Sequence, residues 1–106
     1  MTLFFKLIIG HYFADYVFQN DFIAKAKNHK LPIPGIPWWQ LLVAHAAIHA
    51  GVVWYLTGNG YCAGAEFLLH TVIDYAKCDG KITFNQDQVL HVLCKIGYAV
   101  ILFDKL

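Results

Sequence analysis

Four apolar stretches alternate with short polar or Pro/Gly-rich punctuation along the chain. They run from about Thr2 to Lys25, Pro37 to Leu56, Tyr61 to Cys78 and Phe84 to Phe103. Each stretch is too long and too continuously apolar for a strand, and ionisable residues recur within them at a spacing of four, as on one face of a helix. The pattern therefore predicts four helices. Pro32, Pro34 and Pro37 keep the first connector extended, and Pro37 suits the first turn of the second helix. Thr57-Gly58-Asn59-Gly60 ends that helix, since Gly and Asn tolerate the left-handed conformation. Asp79-Gly80 closes the third helix, and Asn85 is placed to cap the fourth. Short connections of this kind give an all-α, antiparallel four-helix bundle, and 106 residues suffice for a single domain over 1–106.

Composition moves that bundle toward lipid. Apolar residues make up 58% of the chain and charged residues 14%, against about 45 to 50% and about 25% in soluble domains. Mean hydropathy is +0.49. At about 1.5 Å per residue, stretches of roughly 18 to 22 residues span about 27 to 33 Å, close to a hydrocarbon core. Trp38-Trp39 and Trp54-Tyr55 bracket the second stretch as interfacial aromatics do. The sequence thus predicts a multi-pass transmembrane bundle in the cytoplasmic (inner) membrane, with the lipid bilayer as its first partner. The opening MTLFFKLIIGHYFADYVF has no small-residue cleavage site and carries His11 and Asp15, so it is expected to be retained as the first helix.

Charge orients the bundle and excludes some partners. Net charge is +1, all eight basic residues are lysines, and arginine is absent. No basic stripe is available for nucleic acid. Lys25, Lys27 and Lys30 lie in one connection and Lys77 and Lys81 in another, whereas the turn at 57–60 is uncharged. The positive-inside rule then puts both lysine-bearing connections in the cytoplasm, diluted by Lys6 and Lys105 near the termini. Cys62, Cys78 and Cys94 form no CxxC pair and read as reduced, partly buried thiols.

Within these apolar helices lie polar residues spaced four apart: His11, Asp15 and Gln19 on the first; His45 and His49 on the second; His70, Asp74 and Lys77 on the third; Asp87, Gln88 and His91 on the fourth. Most fall within one slab when depth is counted from the lysine-bearing end. Exposing one such group to lipid costs roughly 2.5 to 3.5 kcal/mol, so they are expected to face one another. Imidazoles and carboxylates converging from several helices build metal sites. The expected ligands are His11, Asp15, His45, His49, His70, Asp74 and His91. Seven donors exceed what one tetrahedral ion uses and would serve a site of two divalent ions, with zinc, manganese and iron not distinguished. A proton relay and a structural hydrogen-bond network are the other readings of the same residues.

Absences narrow the chemistry. Serine is missing, no cysteine sits four residues from a polar-face histidine, and Ala46 follows His45 where a zinc peptidase needs Glu. Glu66 is the one glutamate, so the Glu-rich di-iron pattern is missing too. A hydrolytic route would rest on metal-activated water, with Asp15 or Asp74 as ligand or base and Lys77 as a point charge for an anionic substrate. Lys77 can equally snorkel to the interface.

The segments HYFADYVFQ, AHAAIH, LLHTVIDYAK and DQVLH resemble, in order and spacing, the Domain of Unknown Function 3307 family of small bacterial and phage membrane proteins. The resemblance covers nearly the whole chain. More distantly the pattern is similar to membrane-bound metal-dependent hydrolases, and it implies a membrane location with a polar intramembrane site. The expectation is a membrane protein with a cytoplasm-facing His/Asp metal site that hydrolyses a membrane-associated or phosphate-bearing substrate. The alternatives are a non-enzymatic proton or metal-ion pathway, a phage-encoded modulator of a host partner, and a soluble all-α metal protein. A homo-oligomer is also left open.

Overall fold

The computed structural model describes residues 2–102. Its elements are α1 (Thr2–Tyr12), a π-helical segment (Phe13–Val17), α2 (Asp21–Ala26), α3 (Trp38–Thr57), α4 (Gly60–Cys78) and α5 (Phe84–Ile101). There is no strand among the described residues. The all-α expectation holds, but the four-helix count is corrected to five. The first apolar stretch is two helices, because the chain leaves the helix after Val17 and Asn20 starts α2 by accepting a 2.9 Å hydrogen bond from the Ile23 backbone N–H. The expected helix end at Phe103, and Lys105, lie outside the described residues.

Local chemistry explains the other boundaries. Gly58 takes the left-handed conformation (φ 67°) and returns its N–H to the Trp54 carbonyl at 2.7 Å. Asn59 immediately caps α4 by accepting from Cys62 N–H at 3.0 Å. This tight reversal makes α3 and α4 antiparallel neighbours, the most extensive packing in the molecule. Before α5, Thr83 and Gln86 form a reciprocal capping box, so Thr83 is the cap where Asn85 was expected. α1 completes the bundle by packing on α3 and α5.

The long axis measures 47 Å and the other two 23 and 22 Å, the cross-section of one ring of helices around one core. That core is segregated by depth. Leu3, Leu7, Val53, Cys62, Tyr98 and Leu102 form an apolar cluster at the end where α1 begins and α5 finishes. The remainder of the interior holds the buried polar side chains, among small or scattered apolar residues such as Ala14, Leu42, Ala46, Ala63 and Ile73. The outer faces carry the large apolar side chains, including Phe5, Ile9, Phe13, Trp54, Leu68, Val72, Leu93 and Val100, each more than half exposed.

Length and composition support one of the four expected membrane spans. Among the described residues one helix, α3, is long and apolar enough to cross a membrane. α1 has 11 residues, and the charged residues of α4 and α5 lower their hydropathy.

Candidate functional site: a buried His/carboxylate core

The four longer helices each send a polar stripe inward. His11 comes from α1, His45 and His49 from α3, Glu66, His70 and Asp74 from α4, and Asp87, His91 and Lys95 from α5, all of them buried. Spacing of four keeps each set on one face. Asp15 joins them from the π-helical segment, where the Phe18 N–H bonds back to the Phe13 carbonyl at 3.0 Å and closes a wider turn. Single π turns of this kind re-aim side chains and often mark functional positions.

Asp15 is the hub on one side of the core. Its Oδ1 lies 2.9 Å from His49 Nε2 and 3.2 Å from His45 Nε2, while Oδ2 lies 3.3 Å from His11 Nε2. Gln88 donates from Nε2 to Asp15 Oδ2 at 3.2 Å, and its Oε1 accepts from His11 Nε2 at the same distance. Asp74 is the second hub. Its Oδ2 lies 3.3 Å from His70 Nε2 and 3.5 Å from His45 Nε2, and its Oδ1 3.4 Å from His91 Nε2. The rings of His49, His70 and His91 stack in a column, with centroids 3.7 Å and 4.1 Å apart along it. All seven residues expected as ligands on sequence grounds therefore converge.

Lys77 does not. Its Nζ sits 5.1 Å from the centroid of the Phe84 ring, outside the cluster, so the structure gives it no place beside Asp15. Three residues that sequence reasoning passed over take part instead. Glu66 lies 3.1 Å from His70 Nδ1, and its two oxygens accept from Lys95 Nζ at 2.8 Å and Tyr98 Oη at 3.1 Å. Lys27, expected in a solvent-facing connection, is buried and donates to Asp74 Oδ2 at 2.9 Å and Gln19 Oε1 at 2.6 Å. Glu66 and Lys95 carried a readable signal, since Glu66-x3-His70-x3-Asp74 and Asp87-x3-His91-x3-Lys95 extend the fourfold spacing by one step. Lys27 carried none, because a connector has no periodicity.

Three groups have donor atoms all within 4.8 Å of one another: Asp15, His45, His49 and His70; Glu66, His70 and His91; and Asp74, Asp87 and His91. The donors fit a divalent ion of borderline character, which imidazole nitrogen and carboxylate oxygen both suit. Neither ring nitrogen of His45 makes a hydrogen bond of proper geometry, nor does His70 Nε2, although both rings are fully buried. Buried polar atoms usually have a partner, and a cation would be one for these.

Fold and site together define an all-helical bundle whose interior is a His/carboxylate core, with donor groups close enough together that they could hold a metal ion. The chain belongs to the family described as "Protein of unknown function (DUF3307)", whose model matches residues 3–104. No curated protein and no solved structure matches it.

Proposed function

We propose that the protein is a membrane-embedded metal-dependent hydrolase, with the metal centre in the interior of the bundle, acting on a membrane-associated or phosphate-bearing substrate. The observation that carries this reading is the inversion of the usual polarity. Five charged-type side chains and five histidines are buried, while aromatic and aliphatic residues dominate the outer surface of every long helix. Monomers in water rarely expose apolar patches on that scale. In α3 only 28% of the span window is buried, unlike the core helix of a water-soluble protein. Hydropathy undercounts α4 and α5 as spans because it scores charges that the bundle turns inward and pairs, which is how intramembrane charge is tolerated.

An ion in the core would supply Lewis acidity and would activate a water for attack on an ester or phosphoryl group. The residues then divide the remaining work. Asp15, the least buried of the core carboxylates at 12% exposure, is the side from which a substrate can reach the centre, and it is placed to orient an attacking water. Gln88 fixes Asp15 by its amide. A groove of about 490 Å³ between α1 and α3, lined by Ile9, Phe13, Phe18, Val52 and Leu56, passes the π-helical segment and suits an apolar chain. With both lysine-bearing connections cytoplasmic, Lys25 and Lys30 would attract an anionic headgroup.

Two measurements test this. The protein should stay in the membrane fraction through an alkaline carbonate wash, and release would sink the membrane reading. Metal-loaded protein in detergent should hydrolyse a chromogenic phosphodiester above a His45→Gln control, and equal rates would sink the hydrolase.

One observation favours a second reading, a proton pathway. Lys27, Asp74, His70, Glu66 and Tyr98 form a continuous series of contacts of 2.9, 3.3, 3.1 and 3.1 Å. An imidazole that meets a carboxylate at each ring nitrogen can take a proton on one side and release it on the other. Proton flux in proteoliposomes that persists after chelation would favour this reading over the hydrolase.

A further inference from the structure

The three metal-capable groups differ in what already neutralises them. In the Glu66 group, the Lys95 ammonium sits 2.8 Å from Glu66 Oε2, with both side chains 1% exposed. In the Asp74 group, the Lys27 ammonium sits 2.9 Å from Asp74 Oδ2. Among the described residues no ammonium reaches the Asp15 group, since its carboxylate meets only imidazoles and the Gln88 amide. It is also the group that contains His45, whose two buried nitrogens lack a hydrogen-bond partner, and the Nε2 of His70.

Net charge points the same way. Asp15, Glu66, Asp74 and Asp87 bring four negative charges into the core, and Lys27 and Lys95 bring two positive ones. With the ligating imidazoles neutral, the carboxylates outnumber the ammoniums by two, so one divalent ion is enough to offset the excess. A second would leave the interior with a net positive charge, which a low-dielectric environment resists.

We propose that the core is built for one divalent cation, held by Asp15, His45, His49 and His70, and that Lys95 and Lys27 stand as fixed ammoniums where further cations would otherwise sit. Three imidazole nitrogens and one carboxylate oxygen are donors that zinc takes, and a water activated as proposed above would join them as a fifth ligand. Glu66 then acts on a ligand: it accepts from His70 Nδ1 at 3.1 Å and leaves the unpartnered Nε2 to face the ion. The expected requirement of two ions, drawn from the number of donors, gives way to one.

This inference rests on the metal reading above, and the measurement separates the two. Detergent-purified full-length protein is equilibrated with Zn²⁺, freed of excess by gel filtration and analysed for zinc per chain, with helix content checked by circular dichroism. Wild type should hold one equivalent. Asp15→Asn and His45→Gln should weaken binding by about 100-fold or more, since even outer partners of a ligand contribute 10- to 100-fold. Asp87→Asn, which lies outside the Asp15 group and keeps an oxygen to accept from Gln88, should keep one equivalent. Lys95→Met should admit a second. Two equivalents in wild type, or loss of zinc in folded Asp87→Asn with retention in Asp15→Asn, would overturn the single-ion assignment and leave a metal protein. Absence of zinc from folded wild type would overturn both.

Discussion

Lys95 and Glu66, 29 residues apart on α5 and α4, meet at 2.8 Å with both side chains shut away from the surface. Such a pair contributes little net stability against an apolar replacement, yet breaking it is costly, because the survivor is a buried charge without a partner. Glu66→Gln is therefore expected to destabilise the protein by roughly 3 to 5 kcal/mol. The double variant Glu66→Gln/Lys95→Met should recover most of that loss. Thermal unfolding in detergent, followed by tryptophan fluorescence, gives the double-mutant cycle. Additive losses would show that the two side chains act independently.

Gly10 sets the distance between α1 and α3. A Cβ there would lie 2.6 Å from Val52 Cγ1 and 2.9 Å from Leu56 Cδ1. Leu56 can turn its methyl away, but the branched Val52 is stiff at χ1. Gly10→Ala should push α1 outward and destabilise by about 1 to 3 kcal/mol. The next residue, His11, would lose its 5.2 Å approach to His49, so zinc binding should weaken in the same variant. Gly10→Ala/Val52→Ala makes room for the methyl and should restore zinc binding; binding that stays weak would detach the helix spacing from the site.

The end of α4 carries a pH-sensitive tie to the first connector. His29 Nε2 lies 2.8 Å from Asp79 Oδ1, and the His29 ring stacks on Tyr75 with centroids 4.0 Å apart. The hydrogen bond from His29, with help from Lys30 and Lys81, holds the Asp79 pKa down to about 2 from an ordinary 3.8. A carboxyl with a depressed folded pKa contributes its full stabilisation above the unfolded value and loses it as pH falls toward the folded one. The melting temperature should therefore drop between pH 3.8 and about 2, and Asp79→Asn should flatten that part of the profile. An unchanged profile in the variant would assign the acid sensitivity elsewhere.

Trp39 and Trp54 stand at opposite ends of α3 and are 57% and 59% exposed. Their separation along the helix, about 22 Å at 1.5 Å per residue, suits the two interfaces of a bilayer. In single-tryptophan variants reconstituted into vesicles, lipids brominated near the headgroup should quench both residues more than lipids brominated near the chain end. Quenching of neither would contradict a bilayer-spanning α3.

Much of this protein follows from its sequence alone. The spacing of His11 and Asp15, His45 and His49, His70 and Asp74, and Asp87 and His91 fixes inward-facing polar stripes on helices that are otherwise apolar, because 3.6 residues per turn align every fourth position. Gly58-Asn59 fixes the reversal that sets α3 beside α4. Tertiary structure decided what the stripes do to one another. Periodicity along a helix does not state which carboxylate meets which imidazole, and a non-periodic residue such as Lys27 declares its burial only when α2 folds its connector against Asp74. It also separated Lys77, which shares a helix face with Asp74 on paper, from the core it was expected to serve. The distances between helices settle which donors already have an ammonium and which have none, and on that difference the choice of one cation depends.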